Sequence, residues 1–239
     1  REDVLVGTVS GFEPIGFGPA VAVGIHGGTP LAASPDGPIA SLEGNDWVER
    51  GRVPSDIRRL DGGLVAAADG VYHVEGGVNH AGLDDARDVA DPTGRGDEEA
   101  STGAYAATGG GLYHRQDGWN AMLDGEATVV AAGGGRAHAV VDGRLRERDA
   151  AHTWAPVDLP VDGTVVDVAY GEQTLAVTKQ GTLLVTAGKD GGGSGDDRDG
   201  GDHDDGGDHD DGGDHGDGGD AGWRHRALGV GDVTALVIA

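Results

Sequence analysis

The sequence predicts an all-β protein: a β-propeller of short four-stranded blades, read as one domain over residues 1–239. Three observations predict it. An aromatic slot recurs along the chain, four short apolar runs divide each interval, and small residues crowd the second run.

Phe12, Trp47, Trp119, Trp154 and Trp223 follow the contexts SGF, GNDW, QDGW, AHTW and AGW, and Val78 in GGVNH fills the same slot. The spacings are 35, 31, 41, 35 and 69 residues, and the last becomes 35 once a 34-residue low-complexity stretch is removed. The slot opens the outermost strand of each unit. There a ring can cover the gap between blades, and its burial is worth about 2–3 kcal/mol. The tryptophans are read as packing residues rather than as a ligand platform.

The apolar runs are separated by Gly and Asp turns. First runs read AVAVG, DIRRL, ARDVA, ATVVAA, TVVDVA and VTALVI; second runs read PLAAS, GLVAAA, GAYAAT, RAHAVV and QTLAVT. Third runs (PIAS, VYHV, LYHR, RLRE, TLLV) follow a glycine, and fourth runs start at the slot. The paired alanines of the second run suit strands on which neighbouring blades close in. No 3.6-residue periodicity competes, and 48 glycines oppose helices.

Val4–Gly7 matches a third run, Phe12–Phe17 a fourth, and Val233–Ile238 a first. The expectation is a ring of about six blades in this chain, closed by the C-terminal strand joining the N-terminal partial blade. No second run precedes Val4, so the natural protein is expected to continue upstream and to hold six or seven blades.

The net charge is −25, and only Lys179 and Lys189 are lysines against 15 arginines. The stretch Gly188–Ala221 holds 13 aspartates, one lysine and one arginine, so most of the acidity lies elsewhere. Acidic surface, scarce lysine and small apolar residues suit a cytoplasm at molar salt, where the screening length is about 3 Å. The strongly negative surface argues against nucleic acid, since phosphate binding needs clustered lysine and arginine. No apolar stretch is long enough to span a membrane, and the expected location is cytoplasmic. With no cysteine, disulfides and thiolate metal sites are excluded.

The stretches GFEPIGFGPAVAVG, GLDDARDVA, LPVDGTVVDVAYG and GWRHRALG resemble a haloarchaeal β-propeller family, almost along the whole chain outside two insertions. The resemblance implies seven blades with an extra N-terminal portion, and a halophilic cytoplasm. It carries no activity, cofactor or catalytic residue. A weaker likeness is to the Asp-box of sialidase-type propellers, Ser-x-Asp-x-Gly-x-Thr-Trp. Asp149, Thr153 and Trp154 match it, while Glu147 and Ala151 depart from it. That motif implies a turn between outer strands, away from catalysis.

Two insertions interrupt the repeat. Asp91–Thr102 reads as a flexible, solvated loop between a first and a second strand. The stretch 188–221 carries a six-residue tandem repeat that places His203, His209 and His215 beside aspartates. With no apolar residues it is expected to be disordered. These histidines are the candidate divalent-metal ligands, set against a tolerated loop expansion; no other cofactor is expected.

Ligands on propellers gather at the mouth where blade-to-blade connections meet the loops between strands two and three. Here those loops carry Asp36, Asp56, Asp69, Asp84, Asp85, Asp124, Glu126, Asp142 and Asp162, in Asp-Gly turn contexts as much as in a metal ring. His73 and His114 recur after Tyr72 and Tyr113, which internal repetition explains. Arg58, Arg59, Arg87 and Asp88 break the repeat inside first runs, as mutual ion pairs or as an anion site. No catalytic constellation emerges. The expected function is a non-enzymatic binding or scaffolding propeller whose partner is another protein; the alternative is a hydrolase or lactonase-like enzyme with a divalent metal at the channel mouth.

Overall fold

A computed structural model describes residues 3–8, 11–96, 103–149, 153–171, 173–186, 222–231 and 233. The apolar runs form strands. β1 (Leu5–Thr8) and β2 (Gly11–Pro14) pair antiparallel as a two-stranded sheet. Five four-stranded antiparallel sheets follow, each a meander in chain order. Blade 1 holds β3 (Ala22–His26), β4 (Thr29–Ala33), β5 (Pro38–Glu43) and β6 (Asp46–Arg52). Blade 2 holds β7 (Ile57–Asp61), β8 (Leu64–Ala67), β9 (Gly70–Val74) and β10 (Val78–Gly82). Blade 3 starts at β11 (Ala86–Ala90) and, after the short helix α1 (Pro92–Arg95), continues with β12 (Ala104–Thr108), β13 (Gly111–Arg115) and β14 (Trp119–Asp124). Blade 4 holds β15 (Ala127–Gly133), β16 (Arg136–Val141), β17 (Arg144–Arg148) and β18 (Trp154–Pro156). Blade 5 holds β19 (Val165–Tyr170), β20 (Thr174–Thr178), β21 (Thr182–Thr186) and β22 (Trp223–Ala227).

The first strands β3, β7, β11, β15 and β19 lie side by side, so they are innermost. The core is a series of layers between blades. Leu31, Ile39, Leu60 and Val65 pack between blades 1 and 2, and Leu64, Val71, Val89 and Ala106 between blades 2 and 3. Tyr105, Leu112, Val130 and Trp154 pack between blades 3 and 4, and Val140, Leu145, Val168 and Leu184 between blades 4 and 5. The paired alanines of the second strands are fully buried, because only small side chains fit where two blades close on one strand.

The slot residues reach back to the preceding blade. The Trp119 indole N–H donates to Ala81 O at 2.8 Å, and Trp47 donates to Ile15 O, just past β2, at 2.8 Å. Trp154 stands edge-on to Tyr105 at 6.0 Å and Trp223 edge-on to His138 at 6.1 Å. Val78 takes the same place. A Cβ on Gly51 of blade 1 would lie 2.9 Å from Val78 Cγ2, at a φ of +146° that favours glycine.

The described half of the Asp91–Thr102 insertion includes the short helix α1, where Thr93, Arg95 and the capping Gly96 stay exposed. Asp91 is buried and caps α1, accepting from Gly94 N–H, and Gly96 closes the turn at φ +95°. Gly27 N–H of blade 1 donates to Gly94 O at 2.7 Å, tying the turn down. Residues 97–102 lie outside the described residues, as do 187–221 and all of the expected closing strand except Val233. Val233 N–H donates to Lys179 O at 3.3 Å, beside blade 5. Among the described residues, no helix is long and apolar enough to cross a membrane.

Candidate functional site

The innermost strands of blades 2 to 5 carry a β-bulge at one shared place. The extra residues are Arg58, Arg87, Thr128 and Val166. A bulge sets two residues against one and re-aims a side chain. The residue after it, Arg59, Asp88, Val129 or Asp167, shares one register position in the four blades.

Three of those residues meet. The Arg59 guanidinium donates to both carboxylate oxygens of Asp167, each at 3.2 Å, and its Nε lies 3.5 Å from Asp88 Oδ1. Blade 2 is thereby tied to blades 3 and 5 across the axis. Asp88 also accepts from Val89 N–H and Val130 N–H, both at 2.9 Å, so blade 4 joins the same network. Burial pushes the Asp88 carboxyl up to about 7, against Arg59 and those amides. Burial works to lower Arg59, but Asp88 and Asp167 outweigh it and hold the guanidinium above its usual value.

The bulged arginines form a second chain at the mouth. Arg58 donates to Asp85 at 2.6 Å and to Ala86 O at 3.0 Å. Arg87 bridges Asp85, at 3.3 Å, and Glu126, whose own N–H donates to Asp142 at 2.9 Å. The hydrogen bond from Arg58 holds Asp85 below the usual carboxylate range. Asp69 accepts from Ser55 and, at 2.8 Å, from Tyr72 OH. Asp36 and Asp56 contribute backbone carbonyls, to Arg52 and to Ala68 N–H. Asp84, Asp124 and Asp162 join none of these side-chain pairs. Among the described residues no group of three or more metal-ligating side chains comes together. Arg58, Arg59 and Arg87 therefore pair with acids of neighbouring blades, Asp88 being one of those that Arg59 holds, the ion-pair alternative of the two read from sequence.

The opposite face carries groups that sequence reasoning missed. Arg95 of α1 donates to Asp61 at 3.0 Å and to Ala132 O at 2.5 Å, joining blades 2 and 4. Asp61 is pushed up by burial. Between blades 4 and 5, His138 Nδ1 lies 2.7 Å from Tyr170 OH, and its Nε2 is 3.9 Å from Glu147. Burial, with Arg136, lowers His138 to about 4, and burial raises Tyr170, so both are neutral at neutral pH. His114 stacks beneath Tyr105 at 4.6 Å, while His73 faces Glu75 at 3.5 Å and is lowered chiefly by burial. Asp149 and Thr153 close a turn, Thr153 N–H donating to the carboxylate at 2.7 Å, and Trp154 starts the next strand. His203, His209 and His215 lie outside the described residues.

Asp167 was legible in one respect. Aligning TVVDVA under DIRRL and ARDVA puts it in the column of Arg59 and Asp88. His138 and Tyr170 gave no such signal, since each looks like an ordinary member of its run.

One open groove of about 420 Å³ lies between blades 1 and 2, on the side of the first hairpins. Leu31 and Val74 form its apolar wall, Glu43 and Glu75 stand at its rim, and His26 and Arg50 line it. His26 Nδ1 is buried with no hydrogen-bond partner among the described residues.

No curated protein matches the chain in sequence. Among solved structures, the extracellular domain of a protein described as a hybrid two-component system, BT4673 from B. thetaiotaomicron, aligns with a TM-score of 0.53 at 13% identity, covering 70% of this chain and 27% of that one. YCF48 bound to D1 peptide aligns at a TM-score of 0.48 and 14% identity, covering 69% of this chain and 63% of that one. The computationally designed Ika8 protein aligns at 0.49 and 12% identity, over 70% and 57%. This chain thus spans less than two thirds of the length of each. The likeness to BT4673 is one of fold alone. The family model described as "Beta-prop_HVO_0234:-like, beta propeller" matches residues 1–239, and the chain belongs to that β-propeller family.

Proposed function

We propose that this chain is a non-enzymatic binding or scaffolding propeller of a salt-rich cytoplasm, and that its partner is another protein. The observation that carries the reading is the pairing of charges at the axis and mouth. Arg59, Arg58 and Arg87 each hold acids of neighbouring blades, so the carboxylates best placed for acid–base or metal chemistry serve as struts. The tract containing His203, His209 and His215 reads as a tolerated surface expansion. Alanine at all three is expected to leave metal calorimetry unchanged.

Affinity purification at molar salt tests the reading. It is expected to recover a stoichiometric protein partner, and elemental analysis of the isolated chain no stoichiometric divalent ion. Hydrolysis of a lactone or ester that is lost with a chelator would overturn it and favour a metal-dependent hydrolase.

A further inference from the structure

The groove between blades 1 and 2 exists because the repeat is broken there. Between blades 3 and 4 the same space is filled. Tyr105 sits on the second strand with His114 paired beside it, Met122 is the extra residue of a bulge in the fourth strand, and Arg148 and Trp154 form the facing pair of blade 4. Arg148 lies over the Tyr105 ring at 5.9 Å, and Trp154 stands against its edge. By register the same places between blades 1 and 2 hold Leu31, Ser41, Arg50, Val74 and Val78. Four bulky side chains have become small, and the bulge residue has become an arginine.

The chemistry of the opening is amphipathic. Leu31 and Val74 offer an apolar wall suited to an aliphatic stem. Arg50 is already engaged with Glu43 and, at 2.6 Å, with Ser41. Glu75, by contrast, pairs among the described residues with His73 alone, at 3.5 Å, and keeps 77% of its side-chain surface exposed. Burial favours the neutral form of His73. His26 Nδ1 adds a polar atom that has no partner among the described residues. Gly44 and Gly76 tip the flanking hairpins, and a Cβ at either would meet nothing within 4 Å, so the entrance is unobstructed. At molar salt a purely electrostatic site is screened over about 3 Å. A site with both a wall and a carboxylate keeps its grip.

We propose that this groove receives an arginine or lysine side chain of a partner protein, supplying in trans the long cationic side chain that Arg148 supplies in cis between blades 3 and 4. The proposal rests on the binding reading above and names the chemistry of the partner.

The test is titration of the intact chain at molar salt, followed by NMR, with a blocked Gly-Arg-Gly tripeptide and its lysine, citrulline and tryptophan counterparts. Arginine and lysine peptides are expected to bind. Citrulline, the neutral isostere, is expected to bind about tenfold more weakly, as is the arginine peptide to Glu75→Gln, since each change removes one charge-assisted contact. Val78→Trp restores the missing indole and is expected to abolish binding with the fold retained. Equal affinity for citrulline, preference for tryptophan, unchanged binding to Val78→Trp, or no binding at millimolar peptide each overturns the proposal. A co-purified partner that still binds Glu75→Gln and Val78→Trp removes the groove while leaving the binding reading standing. Chelator-sensitive hydrolysis removes both.

Discussion

Blade 1 and blade 3 present the same strand position to opposite fates. Val89 of β11 is 2% exposed beneath blade 2, as are its counterparts Leu60 at 2%, Val130 at 3% and Val168 at 3% beneath their own preceding blades. Val23 of β3 pairs with Ala32 in the matching register and is 52% exposed, flanked by Val21 and Ile25 on the same face. The sequence pattern is the same and the surroundings are not. In this fold an apolar side chain becomes core only when a neighbouring blade arrives, so stability resides in the layers between blades rather than within each sheet.

Trp154→Ala breaks that contrast most severely. It empties the layer between blades 3 and 4 and is expected to cost about 3–5 kcal/mol by chemical denaturation at molar salt. Loss under 1 kcal/mol would mean that the layer is not what holds the blades.

The layer between blades 4 and 5 substitutes a polar pair, and this gives it a pH dependence. The folded His138 titrates at about 4, below its unfolded value near 6.5. Its contribution is therefore full above pH 6.5 and declines as pH falls toward 4, because the unfolded chain takes the proton first. Asp88, pushed up to about 7, slopes the other way across that whole range. His138→Gln keeps a partner for Tyr170 and leaves Asp88 in place. The variant is expected to lose about 3 kcal/mol less than the parent between pH 6.5 and 4. Parallel stability–pH curves would show that His138 takes up its proton in the fold.

Arg59→Met asks whether the axial ties act apart from the layers. It leaves Asp88 and Asp167 without their cation. The expected loss is about 2–3 kcal/mol, below that of a wholly buried pair because Arg59 keeps a third of its side chain in water. A variant as stable as the parent would make the tie ornamental. The mildest comparison is the most direct. Val89→Ala is expected to cost about 2 kcal/mol and Val23→Ala less than about 0.5. Equal losses would mean that Val23 is covered in solution.

Most of the fold was legible because its signals are local. Gly and Asp turns delimit strands, the second-strand alanines mark close approach, and the slot residues carry the register. The role of Val78 could be read from spacing alone. The ion pairs were half legible. Arg59 and Asp88 stand out as charges in apolar runs, but the partner Asp167 is 108 residues from Arg59 and is found only once the first strands are arranged around one axis. The short helix at Asp91–Gly96 gave no signal, because its cap and its tie to Gly27 are contacts that composition does not show. The groove was invisible for a related reason. It is a deficit of volume spread over five strands, each of which looks ordinary by itself.

The contact between Arg59 and Asp167 has a mechanical consequence. Blades 2 to 5 trace an arc, and this bond is its chord. Fraying one blade at a time from either end of that arc requires the chord to break early, which exposes two carboxylates at once. Blades 2 to 5 should therefore lose amide-exchange protection as a single cooperative unit, while blade 1, standing outside the chord, opens first.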